Sequence, residues 1–199
     1  MKQLTSVIAT GLALSLSLGA QAGTLEDVQK RGTVSCGVGT GLAGFSQKDE
    51  NGVWSGLDVD VCRAVAAAVL GDASKVQYKP LTAKERFTAL QSGEIDILSR
   101  NTTWTHTRDT SLGLNFAGVN YYDGQGFMVS KALGVKSALE LDGAAVCIQA
   151  GTTTELNLAD YFRTNGITYN AITFDTSDQT RAGFESGRCD VLTSDQSQL

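Results

Sequence analysis

The phrase Ser-Gly-x-x-Asp-(Ile/Val)-Leu occurs twice in the 199-residue chain. It reads Ser92-Gly93-Glu94-Ile95-Asp96-Ile97-Leu98 and, 94 positions later, Ser186-Gly187-Arg188-Cys189-Asp190-Val191-Leu192. Each copy follows a stretch with helical character and runs into a short apolar strand. Glycine suits a left-handed helix cap there, because it lacks the Cβ that makes positive φ costly. Past each strand the chain turns polar, with Ser99-Arg100-Asn101 in one copy and Thr193-Ser194-Asp195 in the other. Two helix–strand units of one design, each ending in polar groups, predict two α/β lobes facing one cleft. Helix–glycine–strand is also common punctuation in any α/β protein, so the rest of the chain must carry the choice.

The N-terminus reads as a secretory signal peptide. Lys2 supplies the positive charge, Val7 to Gly19 is apolar, and Ala20-Gln21-Ala22 fits an A-x-A cleavage site. The apolar stretch is shorter than the roughly 20 residues a membrane-spanning helix needs. No cysteine lies beside the cleavage site, so a lipid anchor is not expected. Cleavage would remove one of 16 basic residues and none of the 21 acidic ones, leaving about −6. That balance, with no basic run, argues against nucleic acid as a partner.

The four cysteines are Cys36, Cys62, Cys147 and Cys189, and the single histidine is His106. An even cysteine count in an exported chain favours disulfides. With no C-x-x-C and one histidine, a zinc site is not expected. Four cysteines allow three connectivities. We favour 36–62 and 147–189, one per lobe. In each pair one cysteine sits in a strand (Cys36, Cys147). The other sits near the start of the next helix (Cys62) or opens the repeated strand (Cys189).

Strands and helices alternate along the chain. Thr33–Val38 reads as a strand. Leu57–Leu70 reads as a helix, with Asp58 and Asp60 favouring its dipole, Gly71 at its end, and Val61, Val65, Ala68 and Val69 as its apolar face. Val76–Tyr78 is a short strand. Thr82 can cap a helix over Ala83–Gln91 that buries Phe87 and Leu90. Ile95–Leu98 is the next strand. Asn101–Asn115 is polar and threonine-rich, and Gly118–Val129 reads as an extended strand or crossover. Ala144–Ile148 is a strand, and Thr152 or Thr153 with Glu155 starts a helix that continues through Leu156–Phe162. Ile172–Phe174 and Asp178–Ser186 supply a further strand and helix. The alternation predicts a largely parallel sheet. A second lobe beginning near Val129 would hold about 70 residues before Leu199, at the low end for a domain. We therefore expect that lobe to be incomplete.

Several motifs could carry chemistry. Gly39-Thr40-Gly41-Leu42-Ala43-Gly44 fits G-x-G-x-x-G, but the dinucleotide fingerprint needs a helix to open within the loop. Phe45 to Ser55 intervenes, and no ribose-binding acid follows the next strand at Tyr78-Lys79-Pro80. A cleft-lining loop is the better reading. Arg108, in the segment from Thr102 to Asp109, can grip a carboxylate through two parallel hydrogen bonds; a surface pair with Asp109 is the alternative. His106 reads as an exposed loop residue. Gly151-Thr152-Thr153, between a strand and a helix, is an anion site by geometry, though ordinary capping explains it too. Asp195 follows the second repeated strand and can face an ammonium group or simply be solvated. Taken together, cationic and anionic elements past strand ends in two lobes suit a zwitterion.

At these residues the chain resembles the periplasmic solute-binding proteins of polar amino acid ABC transporters, and most closely the general L-amino acid branch. The resemblance runs from Gly23 to Leu199. It is carried by Trp54-Ser55-Gly56-Leu57-Asp58-Val59-Asp60, Ala89 to Asp96, Thr102-Thr103-Trp104-Thr105 through Arg108, Tyr121 to Gly126, Gln149 to Glu155, and Thr193-Ser194-Asp195-Gln196. It implies a two-lobed periplasmic binding protein type II fold, with 23–126 as the first lobe and 127–199 as an incomplete second one. Family members continue further and cross back to the first lobe. The implied ligand is an L-amino acid. Arg108 would hold its α-carboxylate, helped by Thr103 and the Thr153 amide; the Asn101 carbonyl and Asp195 would take its α-ammonium. A buried zwitterion does need both charges matched. Where the basic-amino-acid branch carries an acid and an aromatic, this chain has Gly39 and Leu42. A pocket without such partners discriminates weakly, so broad specificity is expected, with Leu42 at its side.

The resemblance further implies a monomer that delivers its ligand to an inner-membrane ABC transporter permease, with no cofactor and no catalysis. The same fold hosts cyclohexadienyl or arogenate dehydratases, which need a general acid in the cleft. His106 and Glu85 are the candidates for that role. A sensor's ligand-binding domain is a third reading, disfavoured by the clean signal peptide.

Overall fold

The computed structural model describes residues 23–199, and the expected signal peptide, 1–22, lies outside the described residues. In chain order the elements are α1 Thr24–Arg31, β1 Val34–Val38, β2 Gln47–Lys48, β3 Trp54–Ser55, α2 Leu57–Leu70, β4 Val76–Pro80, α3 Arg86–Gln91 and β5 Ile97–Leu98. There follow α4 His106–Thr110, β6 Gln125–Val129, β7 Ala144–Gln149, α5 Thr153–Asn165, β8 Tyr169–Phe174, α6 Ser177–Glu185 and β9 Val191–Asp195.

Apart from β2 and β3, which pair antiparallel in a separate two-stranded sheet, the strands form two larger sheets that share one design. The first has the order β4-β1-β5, all parallel. The second has the order β6-β9-β7-β8, parallel except for β6, which runs antiparallel to β9. Each is a βαβαβ unit whose opening strand, β1 or β7, lies between the two that follow. The expectation of a largely parallel sheet therefore holds in the two larger sheets apart from β6, while the β2–β3 pair is antiparallel. Only Gln125–Val129 of the stretch from Gly118 forms that strand, and the expected division after residue 126 falls inside it.

The repeated phrase now has a physical account. Both glycines sit at φ 74°, where a side chain would be strained. The two serine hydroxyls bond back to the carbonyls of Ala89 and Gly183, at 3.1 and 3.0 Å. The two aspartates tie the new strand to the central one. Asp96 accepts from the Ser35 amide at 2.7 Å, and Asp190 accepts from the Ala145 amide at 2.8 Å. Their own amides donate to the carbonyls of the same two residues, both at 2.8 Å. Each copy thus stops a helix, turns the chain and sets the register of a parallel strand.

Disulfides join Cys36 to Cys62 and Cys147 to Cys189, so each central strand is pinned to a neighbouring segment. The first core gathers Val34, Cys36, Val38, Val59, Cys62 and Ala66; the second gathers Val146, Ile148, Leu158, Phe162 and Val191. Phe162 is fully buried, with ring centroids 5.1 Å from Tyr169 and 6.0 Å from Phe127.

Two helices differ from expectation. On α2 the buried residues are Asp58, Val59, Cys62 and Ala66, while Ala68 is exposed. The Cys62 bridge to β1 turns the 58–62–66 stripe inward, rotating the helix away from the Val61–Val65 face. The other helix, α3, begins at Arg86 rather than Ala83 and buries Arg86 and Ala89; Phe87 and Leu90 are only half-buried. Thr82 and Glu85 exchange hydrogen bonds across the turn that precedes it.

Candidate functional site

Four loops leave the carboxyl ends of parallel strands and meet between the sheets, the usual place for a ligand in open α/β structures. They follow β1, β5, β7 and β9. Between them lies a cavity of about 470 Å³. Its wall includes Asn101, Thr103, Thr153 and Asp195, four of the residues expected from sequence. It also includes Phe45, Asp58, Arg100, Trp104, Tyr121 and Gln125.

The two sides of the cleft touch through polar groups. The Thr103 and Thr153 hydroxyls are 3.1 Å apart, and the Asn101 amide donates to Asp195 at 3.3 Å. Arg86, from α3, donates to the Gly151 carbonyl at 3.3 Å while holding the Asn101 carbonyl at 3.3 Å and the Thr102 hydroxyl at 3.1 Å. At the rim, Lys84 pairs with Asp175 at 2.7 Å.

On the second side, local sequence builds the start of α5. Thr152 is the N-cap of α5, its hydroxyl accepting from the Glu155 amide at 3.1 Å, and Glu155 returns to the Gly151 amide at 2.8 Å. Of the two threonines weighed as caps, Thr152 takes the role, which leaves Thr153 in the cavity wall. Asp195, at the end of β9, is half-buried and bonds to the amides of Asn101 and Gln198. Burial pushes its carboxyl above the usual aspartate value, with those two hydrogen bonds pulling the other way. Among the described residues it makes no salt bridge.

The first side is crowded with cations. Arg108 is buried to 9 % exposure, donates to the Thr103 carbonyl at 2.9 Å and lies 5.1 Å from the Phe87 ring centre. It stands behind Thr103, outside the residues that line the cavity. Arg100 holds the Leu81 carbonyl at 2.9 Å and the Asn101 side-chain oxygen at 2.9 and 3.1 Å. Burial depresses all three guanidinium groups at 86, 100 and 108, and the neighbouring arginines lower Arg86 and Arg100 further. A guanidinium nonetheless stays protonated in a protein. Asp58 is 2 % exposed, and its Oδ2 has no hydrogen-bond partner among the described residues. Burial raises its carboxyl to about 6 against the pull of Arg100.

Some expected residues lie elsewhere. Leu42 is buried at 7 % exposure, its amide bonded to the Ser46 carbonyl at 2.7 Å, and it does not line the cavity. His106 is exposed at the start of α4, and Glu85 is exposed and bound to Thr82. Neither lines the cavity, so neither is placed as a general acid. Sequence reading passed over Arg100, although it stands past a strand end just as Arg108 does. It also read Asp58 as a dipole residue. Its spacing of four from Cys62 was the available signal, since both then share the inward face. Nothing local marks Arg86.

Two α/β lobes meeting over a charged cleft at their strand ends define a type II periplasmic-binding-protein architecture. The pattern of bacterial extracellular solute-binding proteins, family 3, matches residues 34–141. The chain belongs to that family, one of solute-binding proteins rather than enzymes. It is 60 % identical over 198 residues to the general L-amino acid-binding periplasmic protein AapJ of Rhizobium johnstonii, covering 100 % of this chain and 58 % of that one. Against the glutamate/glutamine/aspartate/asparagine-binding protein BztA of Rhodobacter capsulatus it is 54 % identical, covering 100 % of this chain and 59 % of that one. A Brucella ovis ABC transporter periplasmic binding protein, solved with glutathione bound, superposes with a TM-score of 0.83 at 60 % identity, covering 88 % of this chain and 55 % of that one. The chain thus spans under two thirds of the length of these relatives. Among its described residues no helix is long and apolar enough to cross a membrane.

Proposed function

We propose that this protein captures L-amino acids with broad specificity and hands them to an inner-membrane ABC transporter permease. It works as a monomer in the periplasm after loss of residues 1–22. Its lobes divide after residue 126, and closure of the cleft traps the ligand. Arg108 takes the α-carboxylate together with Thr103 and the Thr153 amide at the start of α5. Asp195 and the Asn101 carbonyl take the α-ammonium.

The observation that carries this reading is Asp195. A half-buried carboxylate in the cavity wall has only amides for partners, which leaves its charge for an ammonium group. The sequence relatives point the same way: AapJ is named for general L-amino acid binding and BztA for four amino acids. The test is calorimetric titration of the mature protein with the L-amino acids. Many should bind, and Arg108→Ala should weaken all of them by about 100-fold, the cost of roughly 2.7 kcal/mol from a lost charged bidentate contact. Unchanged affinity in Arg108→Ala would overturn the assignment.

A further inference from the structure

Asp58 and Arg100 have no place in the recognition of an α-carboxylate and an α-ammonium, yet both stand in the cavity wall. The wall between them and Asp195 is continuous. Arg100 donates to the Asn101 side-chain oxygen, and the same carboxamide donates to Asp195. Arg100 is therefore one carboxamide and two hydrogen bonds away from the proposed ammonium partner, on the scale of an amino acid side chain. Asp58 has a buried oxygen without a partner, which is costly unless something else supplies one. Among the described residues Asp58 forms no salt bridge with Arg100, so the two groups offer complementary donors and acceptors to a third.

We propose that Asp58 and Arg100 form a subsite for the distal carboxyl or carboxamide group of a ligand side chain. This rests on the amino acid receptor reading above. Arg100 donates to an oxygen of either group. Asp58 changes role with the ligand: ionised, it accepts from a carboxamide N–H; protonated, it donates to a carboxylate oxygen. No atom or bond is exchanged beyond that one proton. The subsite would favour L-glutamate and L-glutamine within a broad set, and their ranking would follow pH.

Burial raises two carboxyls of this wall, Asp58 and Asp195, but Asp195 faces the α-ammonium that every ligand shares, so only Asp58 bears on the glutamate-to-glutamine ratio. The loop after β5 contributes Arg100, the loop after β1 contributes the Phe45 carbonyl that holds the Asp58 amide at 2.9 Å, and on α2 Asp60 pairs with Arg63 at 2.8 Å. Arg86, Arg108, Asp123 and Asp195 complete the charges of the site. Burial holds the Asp58 carboxyl near 6, so protonated and ionised forms exchange dominance close to neutral pH.

Calorimetry on the mature protein with L-glutamate, L-glutamine and L-alanine, between about pH 5 and about pH 7, tests this. The ratio of glutamate to glutamine affinity should fall at least about tenfold as pH rises, because the proton that serves glutamate is lost. The ligand's own γ-carboxyl would push the ratio the other way. In Asp58→Asn the ratio should be flat. Arg100→Gln should weaken both longer ligands about tenfold more than it weakens L-alanine, which cannot reach the pair and feels only the loss of support to Asn101. A flat ratio in the unaltered protein, or equal losses for all three ligands in Arg100→Gln, overturns the subsite and leaves the receptor reading standing. Failure of all three ligands to bind overturns the receptor reading itself.

Discussion

The two lobes repeat one βαβαβ plan and equip its strand ends in opposite ways. The first lobe sets Asp58, Arg86, Arg100 and Arg108 around the cleft, all with their charge at least partly withdrawn from water. The second offers the amides at the start of α5, the hydroxyls of Thr152, Thr153 and Thr154, and, in the cavity wall, the carboxylate of Asp195. Backbone dipoles at a helix start are bonded or capped by short-range sequence and cost little to hold in place. Buried side-chain charges cost several kcal/mol each unless something matches them. The first lobe is thus the side whose stability answers most to what fills the cleft.

The sharpest way to break this comparison is to damage the second lobe where it carries no charge. Phe162→Ala removes a fully buried ring between Phe127 and Tyr169. It should cost about 3–5 kcal/mol of stability in denaturant titration, with the disulfides intact. A small loss would mean that the second core relaxes into the space, and that the contrast between a firm lobe and a charged one is overstated.

Next in size is Asp58→Asn. The folded-state carboxyl is raised to about 6, above its usual 3.8. The native state therefore takes up the proton more readily than the unfolded chain. Asp58 weakens the fold progressively as pH rises through the window from about 4 to about 6, and the full cost, of order 3 kcal/mol, applies above it. Without ligand, Asp58→Asn should gain in melting temperature relative to the parent as pH rises through that window. A constant difference between the two proteins would show that Asp58 is matched by a group in the folded protein.

Thr152→Ala sharpens the other half of the comparison. Loss of the N-cap should cost about 1 kcal/mol and loosen the first turn of α5. Its stability penalty should not vary with pH, unlike that of Asp58. Hydrogen exchange at the amides of Thr154 and Glu155 reads the local effect.

Much of the fold was legible because its signals are local. The repeated phrase marked both helix ends and both strands, and the structure accounts for its serine, glycine and aspartate in each copy. Of the three connectivities the sequence allows, the structure has the favoured one, Cys36–Cys62 and Cys147–Cys189. Four of the six ligand residues expected from the resemblance line one cavity; Arg108 stands behind Thr103, and Leu42 lies apart. The phase of α2 was missed because hydrophobicity alone chose the stripe, whereas the disulfide at Cys62 chose another. Misreading that phase hid Asp58.

By itself, the sequence determined where the repeated helices stop and the strands after them begin, since both depend on residues a few positions apart, and its short motifs carried the family resemblance. The tertiary structure alone decided that Arg86 bridges from α3 to the Gly151 loop, 65 positions away, and that Arg100 and Asp58 share a cavity wall with Asp195. Burial and charge pairing are properties of the space between elements, and residue spacing along one element does not encode what packs against it.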